Sequence, residues 1–99
     1  MPGHSEDQPP IVCRRILFRG RVQGVGFRYT AYSLARRCPI TGFVKNLPDG
    51  RVELVIEGTE SDVEAYAGRL AERMGDNIDG CGVDELPSTG SFRHFEIRY

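Results

Sequence analysis

Residues 51–57, Arg-Val-Glu-Leu-Val-Ile-Glu, alternate as an extended chain does. Val52, Leu54 and Ile56 fall on one face; Arg51, Glu53 and Glu57 fall on the other, with Val55. A strand with one apolar face needs partner strands and a layer that covers it. Residues 41–46, Thr-Gly-Phe-Val-Lys-Asn, supply the first partner. Leu47-Pro48-Asp49-Gly50 lies between them and ends in the turn pair Asp-Gly. The two strands therefore make a hairpin.

Both flanks of the hairpin are helical. From Phe27 to Arg37, the apolar residues Phe27, Ala31, Leu34 and Ala35 recur at helical spacing, and Pro39 ends the helix. The second helix opens within Gly58–Asp62, where Ser61-x-x-Glu64 is a capping box and Thr59-x-x-Asp62 a weaker form of one. Val63, Tyr66, Ala67, Leu70, Ala71 and Met74 form its apolar stripe, read as core. Gly75 suits a left-handed residue at its end.

Residues 11–22 predict a first strand ending near Arg19, and Phe92–Tyr99 a last one, with Phe95 and Ile97 alternating against His94, Glu96 and Arg98. A short strand is expected near Gly82–Leu86, within the weakly patterned stretch 76–91. The order is β-α-β-β-α-β with an extra C-terminal strand. It predicts an α+β, ferredoxin-like sandwich: an antiparallel sheet with two helices on one face. A chain of 99 residues is expected to be one domain, long enough to bury a core without disulfides or metal. That domain spans residues 11–99. Residues 1–10, with three prolines, read as a disordered tail.

Composition excludes several kinds of chemistry. Cys13, Cys38 and Cys81 are widely spaced, with no Cys-x-x-Cys, so they give neither a disulfide framework nor a zinc pattern. A reducing, cytoplasmic compartment is expected. His4 and His94 are the only histidines, which argues against a metal site or a histidine triad. No apolar run approaches the roughly 20 residues of a membrane span, and no apolar signal stretch opens the chain. No membrane partner is expected. A monomer is.

The formal net charge of −1 hides an asymmetry. Residues 1–40 carry +5 and residues 41–99 carry −6. Seven arginines (14, 15, 19, 21, 28, 36 and 37) lie between residues 11 and 40, with no acid among them. Such a segment reads as an anion site or as ordinary surface charge balanced elsewhere in the fold.

The informative stretch joins the first strand to the first helix: Gly20-Arg21-Val22-Gln23-Gly24-Val25-Gly26-Phe27-Arg28. A helix N-terminus leaves backbone N–H groups unpaired and carries positive partial charge. Glycines before it let successive N–H groups converge on one point, which suits phosphate or another small anion. Arg28, in the first helical turn, is placed to add a two-pronged contact. The spacing is neither the dinucleotide fingerprint, since residue 29 is Tyr, nor a Walker A loop. On spacing alone, a tight turn whose Arg28 pairs with a surface carboxylate fits equally well. Asn46, at a strand end before a turn, is likewise either an ordinary turn asparagine or an amide that holds a water or substrate oxygen.

Together the two segments resemble the acylphosphatase family. Gly20–Arg28 is similar to its phosphate-cradle motif, and Gly42-Phe43-Val44-Lys45-Asn46 with Gly50-x-Val52 is similar to its second motif. The Asn-Leu-Pro-Asp-Gly turn and the ending Phe95-Glu96-Ile97-Arg98-Tyr99 fit as well, so the resemblance covers residues 11–99. Phe43 departs from it, since the family more often has Trp there. So does Arg37-Cys38-Pro39-Ile40, where the family has a Leu-Gly-Leu-like approach.

The resemblance implies hydrolysis of acyl phosphates, which are carboxyl–phosphate mixed anhydrides, to carboxylate and phosphate without a metal or other cofactor. It implies that Arg28 binds phosphate and that Asn46 orients water. It also implies that the backbone amides of Arg21, Val22, Gln23, Gly24, Val25, Gly26 and Phe27 hold the phosphoryl oxygens. A carboxylate leaves without a general acid, which suits motifs that lack a histidine or carboxylate pair.

Three rivals stand beside this reading. An RNA-binding sheet would need stacking aromatics where residues 51–57 place Glu53 and Glu57, so no nucleic-acid partner is expected. A non-catalytic anion- or protein-binding module could keep the same loop. A related domain could act on carbamoyl phosphate within a longer chain.

Overall fold

In the computed structural model, which describes residues 9–99, the chain runs β1 (Ile11–Gly20), α1 (Phe27–Ala35), β2 (Thr41–Asn46), β3 (Val52–Thr59), α2 (Glu60–Met74), β4 (Ile78–Leu86) and β5 (Phe95–Arg98). The tail expected over residues 1–10 lies outside the described residues except for Pro9 and Pro10, which are exposed and carry no regular structure.

The alternating segment becomes β3, the middle strand of a sheet in the order β4-β1-β3-β2-β5. Leu54 faces Ile16 of β1 on one side and Val44 of β2 on the other, both pairings antiparallel. β4 lies antiparallel to the outer side of β1, with Val83 opposite Ile16. β5 pairs with β2 in parallel, Ile97 opposite Val44, so the sheet is mixed rather than antiparallel throughout. The cause is geometric. β4 ends at one edge of the sheet, and the chain crosses to the other edge at the same end. A strand that starts there must run in the direction of β2.

Val52, Leu54 and Ile56 are buried, as the alternation requires. They join Ile16, Phe18, Val22 and Val44 from the sheet and loop, Phe27, Ala31 and Ala35 of α1, and Val63, Tyr66, Leu70 and Met74 of α2 in one core. Each fully buried large side chain there contributes about 1.5–3 kcal/mol relative to exposure. The Tyr66 hydroxyl donates to the Ala31 carbonyl at 2.7 Å and ties α2 to α1 inside the core. Burial pushes the Tyr66 phenol well above its ordinary value.

The opposite face of the sheet is crossed by residues 87–94, which link β4 to β5. The Gly90 N–H donates to Glu57 Oε2 at 3.2 Å, and the Phe92 ring lies 6.1 Å from that of Phe43. Glu57 and Cys13 are consequently buried, at 4% and 3% exposure, although the alternation put Glu57 on the charged face.

Element ends differ locally from expectation. α1 stops at Ala35, two residues short of Arg37, and β5 covers Phe95–Arg98 only. Thr59, not Ser61, caps α2: its hydroxyl accepts from the Asp62 N–H at 3.1 Å. Gly75 is right-handed, with φ −55°, because the chain tightens into a 3₁₀ turn over Gly75–Asn77 instead of reversing through a left-handed residue. β4 is longer than expected, since pairing with β1 along Cys13–Gly20 sustains it where side-chain burial does not.

Candidate active site

The site forms where β1, β2 and β5 reach the same end of the sheet and α1 begins. Residues 21–26 leave β1 as a curl held at each end. The Arg21 N–H donates to the Asn77 carbonyl at 2.9 Å, and Val22 and Phe27 are fully buried. Between these anchors Gly24 and Gly26 take φ of 78° and 79°, a left-handed conformation that costs other residues about 1 kcal/mol or more. Gly26 is the residue before α1. It offers no side-chain cap, and no acid lies in the first turn. The helix therefore presents unpaired N–H groups and uncompensated positive partial charge to the curl.

Arg28, half-buried, sits in that first turn. Its Nη1 donates to the Arg98 carbonyl at 3.3 Å, and its guanidinium carbon lies 4.8 Å from the centre of the Tyr99 ring. No carboxylate contacts it among the described residues, so the turn-plus-surface-pair alternative does not describe this arginine. Other arginines of the basic segment do have that bland role. Arg14 pairs with Glu60, Glu64 and Glu85, and Arg15 with Glu53 and Asp84.

Asn46 ends β2 on the core side of the sheet, in register with Val52. Its Oδ1 is buried and has no hydrogen-bond partner among the described residues of the protein. A buried acceptor left unpaired costs about 1–3 kcal/mol, so this oxygen is not serving the turn as turn asparagines do.

Val22, Gly24, Gly26, Phe27, Arg28, Tyr29, Asn46, Ile97 and Tyr99 line one open pocket of about 250 Å³. The two motif residues, 18 positions apart in sequence, thus share a cavity. The structure distributes the expected cradle residues unequally. Gly24 and Gly26 line the pocket directly, and Val22 and Phe27 both line it and anchor the curl in the core. Arg21 spends its amide on Asn77, Val25 is exposed at the tip, and the Gln23 side chain turns to the β2–β3 turn. Tyr29, Ile97 and Tyr99 were not singled out from sequence. Ile97 and Tyr99 reach the pocket only through the parallel pairing of β5 with β2.

A two-layer α+β sandwich of this order defines the ferredoxin-like class of proteins, and comparison with known proteins narrows it. A family model described as Acylphosphatase matches residues 14–97. The chain is 43% identical over 90 residues to an acylphosphatase of Anaeromyxobacter dehalogenans, covering 86% of this chain and 92% of that one. Its structure superimposes on the crystal structure of acylphosphatase from Bacillus subtilis with a TM-score of 0.79 at 33% identity, covering 89% of this chain and 99% of that one. T. kodakarensis HypF is also similar, with a TM-score of 0.77 at 36% identity, over 89% of this chain but 12% of that one. The chain belongs to the acylphosphatase family, and it is a hydrolase of acyl phosphates.

Proposed function

We propose that the protein hydrolyses its acyl phosphate without a metal, with Arg28 and the amides of residues 22–27 holding the phosphoryl group and Asn46 orienting the attacking water. The observation that carries this reading is the shared pocket: an arginine with no carboxylate partner among the described residues, a glycine curl at a helix N-terminus and an amide oxygen without a protein partner among them line one cavity. Phosphoryl transfer needs positioning and stabilisation of charge on the equatorial oxygens more than covalent chemistry. The guanidinium and the curl's N–H groups supply the stabilisation. Asn46 Oδ1 accepts a hydrogen bond from a water and so turns its lone pair toward phosphorus.

Water oxygen bonds to phosphorus as the bond from phosphorus to the acyl oxygen breaks. The electron pair leaves with the carboxylate, and the water's proton passes to a phosphoryl oxygen. A carboxylate needs no general acid to depart, and no acid is built into the pocket wall. The lining side chains offer no carboxylate, imidazole or thiol as metal ligands, which supports catalysis by the chain's own groups. The test is phosphate release from a synthetic acyl phosphate with and without EDTA. Turnover that resists the chelator agrees with the proposal; turnover abolished by EDTA and restored by a divalent cation overturns it.

A further inference from the structure

The two halves of the pocket come from different parts of the chain, the β1–α1 curl and the end of β2, and one side chain bridges them. Gln23 leaves the curl and points away from the cavity to the mouth of the β2–β3 turn. Its Nε2 donates to the Leu47 carbonyl at 2.8 Å and to the Arg51 carbonyl at 2.9 Å. Both carbonyls already accept a backbone N–H: Gly50 donates to Leu47 and Leu47 donates to Arg51, at 3.1 and 2.8 Å. Gln23 therefore takes the second lone pair of each. One primary amide nitrogen is required for this, because the two partners are both acceptors and only a group with two N–H bonds can serve them from one atom. Leu47 directly follows Asn46. The curl also has fixings of its own: Arg21 bonded to Asn77, Val22 and Phe27 in the core, and the Thr30 N–H donating to the Gly26 carbonyl at 2.9 Å. The Gln23 bridge is thus not needed to hold the phosphate side together. It fixes the distance between that side and Asn46.

We propose that Gln23 is a positioning residue that acts through Asn46, setting the water's approach to a phosphoryl group already bound at Arg28. The proposal rests on the roles given to Arg28 and Asn46 above. It makes a specific claim about kinetics. Loss of the bridge lowers kcat and leaves phosphate affinity nearly unchanged, because misplacement by about 1 Å costs up to roughly 100-fold in rate while uniform binding is untouched.

The experiment is a double-mutant cycle in the intact chain with Gln23→Met and Asn46→Ala, reading kcat, KM, the inhibition constant of inorganic phosphate and the folded fraction. The expected result for Gln23→Met is a fall in kcat of about 10-fold or more in the wild-type background, with the phosphate inhibition constant within about threefold of wild type. In the Asn46→Ala background the same substitution changes kcat by less than about twofold, since residues that act as one unit are not additive. Gln23→Glu keeps the shape but sets carboxylate oxygens against two carbonyls, so its kcat falls further than that of Gln23→Met. It also serves in the cycle if the methionine variant folds poorly. Equal losses in both backgrounds, or a loss confined to KM and phosphate affinity, overturn the role of Gln23. Undiminished turnover of Asn46→Ala alone instead overturns the role of Asn46, and the proposal with it.

Discussion

The Arg28 guanidinium is held between a main-chain oxygen and an aromatic face, with Nη1 3.3 Å from the Arg98 carbonyl and its central carbon 4.8 Å from the Tyr99 ring centre. Neither contact neutralises it. The last strand thereby aims the positive charge without occupying it with a counter-anion.

Arg28→Lys keeps the charge but loses the planar fork that meets two phosphoryl oxygens at once. We expect kcat/KM to fall by about 10²–10³, the usual cost of one preorganised donor, and Arg28→Ala to fall at least as far with the fold kept. Steady-state kinetics and the far-UV circular dichroism of both variants check this. Near wild-type turnover in Arg28→Ala contradicts the assigned role.

For Asn46→Ala, activity is expected to fall while stability changes little. Activity drops by about 10²–10³ with the loss of the water-orienting oxygen. No protein group among the described residues bonds this oxygen, so its removal is expected to change the unfolding free energy by less than about 1 kcal/mol. Denaturant titration alongside the assay reads both. A fall of several kcal/mol would mean that Asn46 is a structural residue.

Tyr66 gives the fold an alkaline limit. Its phenol is raised above the ordinary value of 10.0 mainly by burial, so the folded state keeps a proton that the unfolded chain releases. The sign follows: this contribution is fully present below pH 10, and stability is lost as pH rises beyond it. Tyr66→Phe should lower stability at neutral pH by about 1 kcal/mol through loss of the bond to Ala31, and should flatten the decline above pH 10. Thermal melts from pH 7 to pH 11 measure both effects.

The three cysteines should react in the order of their exposure. Cys81 is exposed, Cys38 half-buried and Cys13 buried under the residues that link β4 to β5, where burial and the nearby Glu57 also push its thiol up. A thiol reagent such as a chromogenic disulfide should label Cys81 fastest in the native protein and Cys13 only on unfolding. Rapid native labelling of Cys13 would show that the covering segment opens readily.

Much of the architecture could be read from the chain because its signals are local. The alternation at residues 51–57 and the stripe from Val63 to Met74 depend only on residues a few positions apart, and both were realised, except that Ala71 of the stripe is exposed and Ala67 half-buried at its margin. Arg28 and Asn46 stand out as candidates by their local setting and take roles only through the resemblance of their segments to the family, and the structure sets them on one cavity. What could not be read depends on distant partners. β4 is stabilised by pairing with β1 rather than by its own apolar pattern, so residues 76–91 suggest only a short strand near Gly82–Leu86 and not its start at Ile78. Glu57 follows the charged alternation faithfully, and only the span over residues 87–94 buries it. Ile97 and Tyr99 belong to an ending that fits the family, but their place in the pocket comes from the direction in which β5 pairs. The Gln23 side chain was hidden for another reason. Its residue was read as backbone cradle, and its partners are carbonyls, which leave no mark on a sequence.

That crossing from β4 to β5 also sets when the protein becomes an enzyme. β1 pairs with residues 78–86, and β5 can reach β2 only after the chain has spanned the sheet. Pairings so far apart in sequence place folding toward the slow, millisecond-to-second end of the scale for domains of this size. The pocket wall that includes Ile97 and Tyr99 is complete only when β5 is paired with β2. Recovery of activity during refolding is therefore expected to report the pairing of β5 with β2.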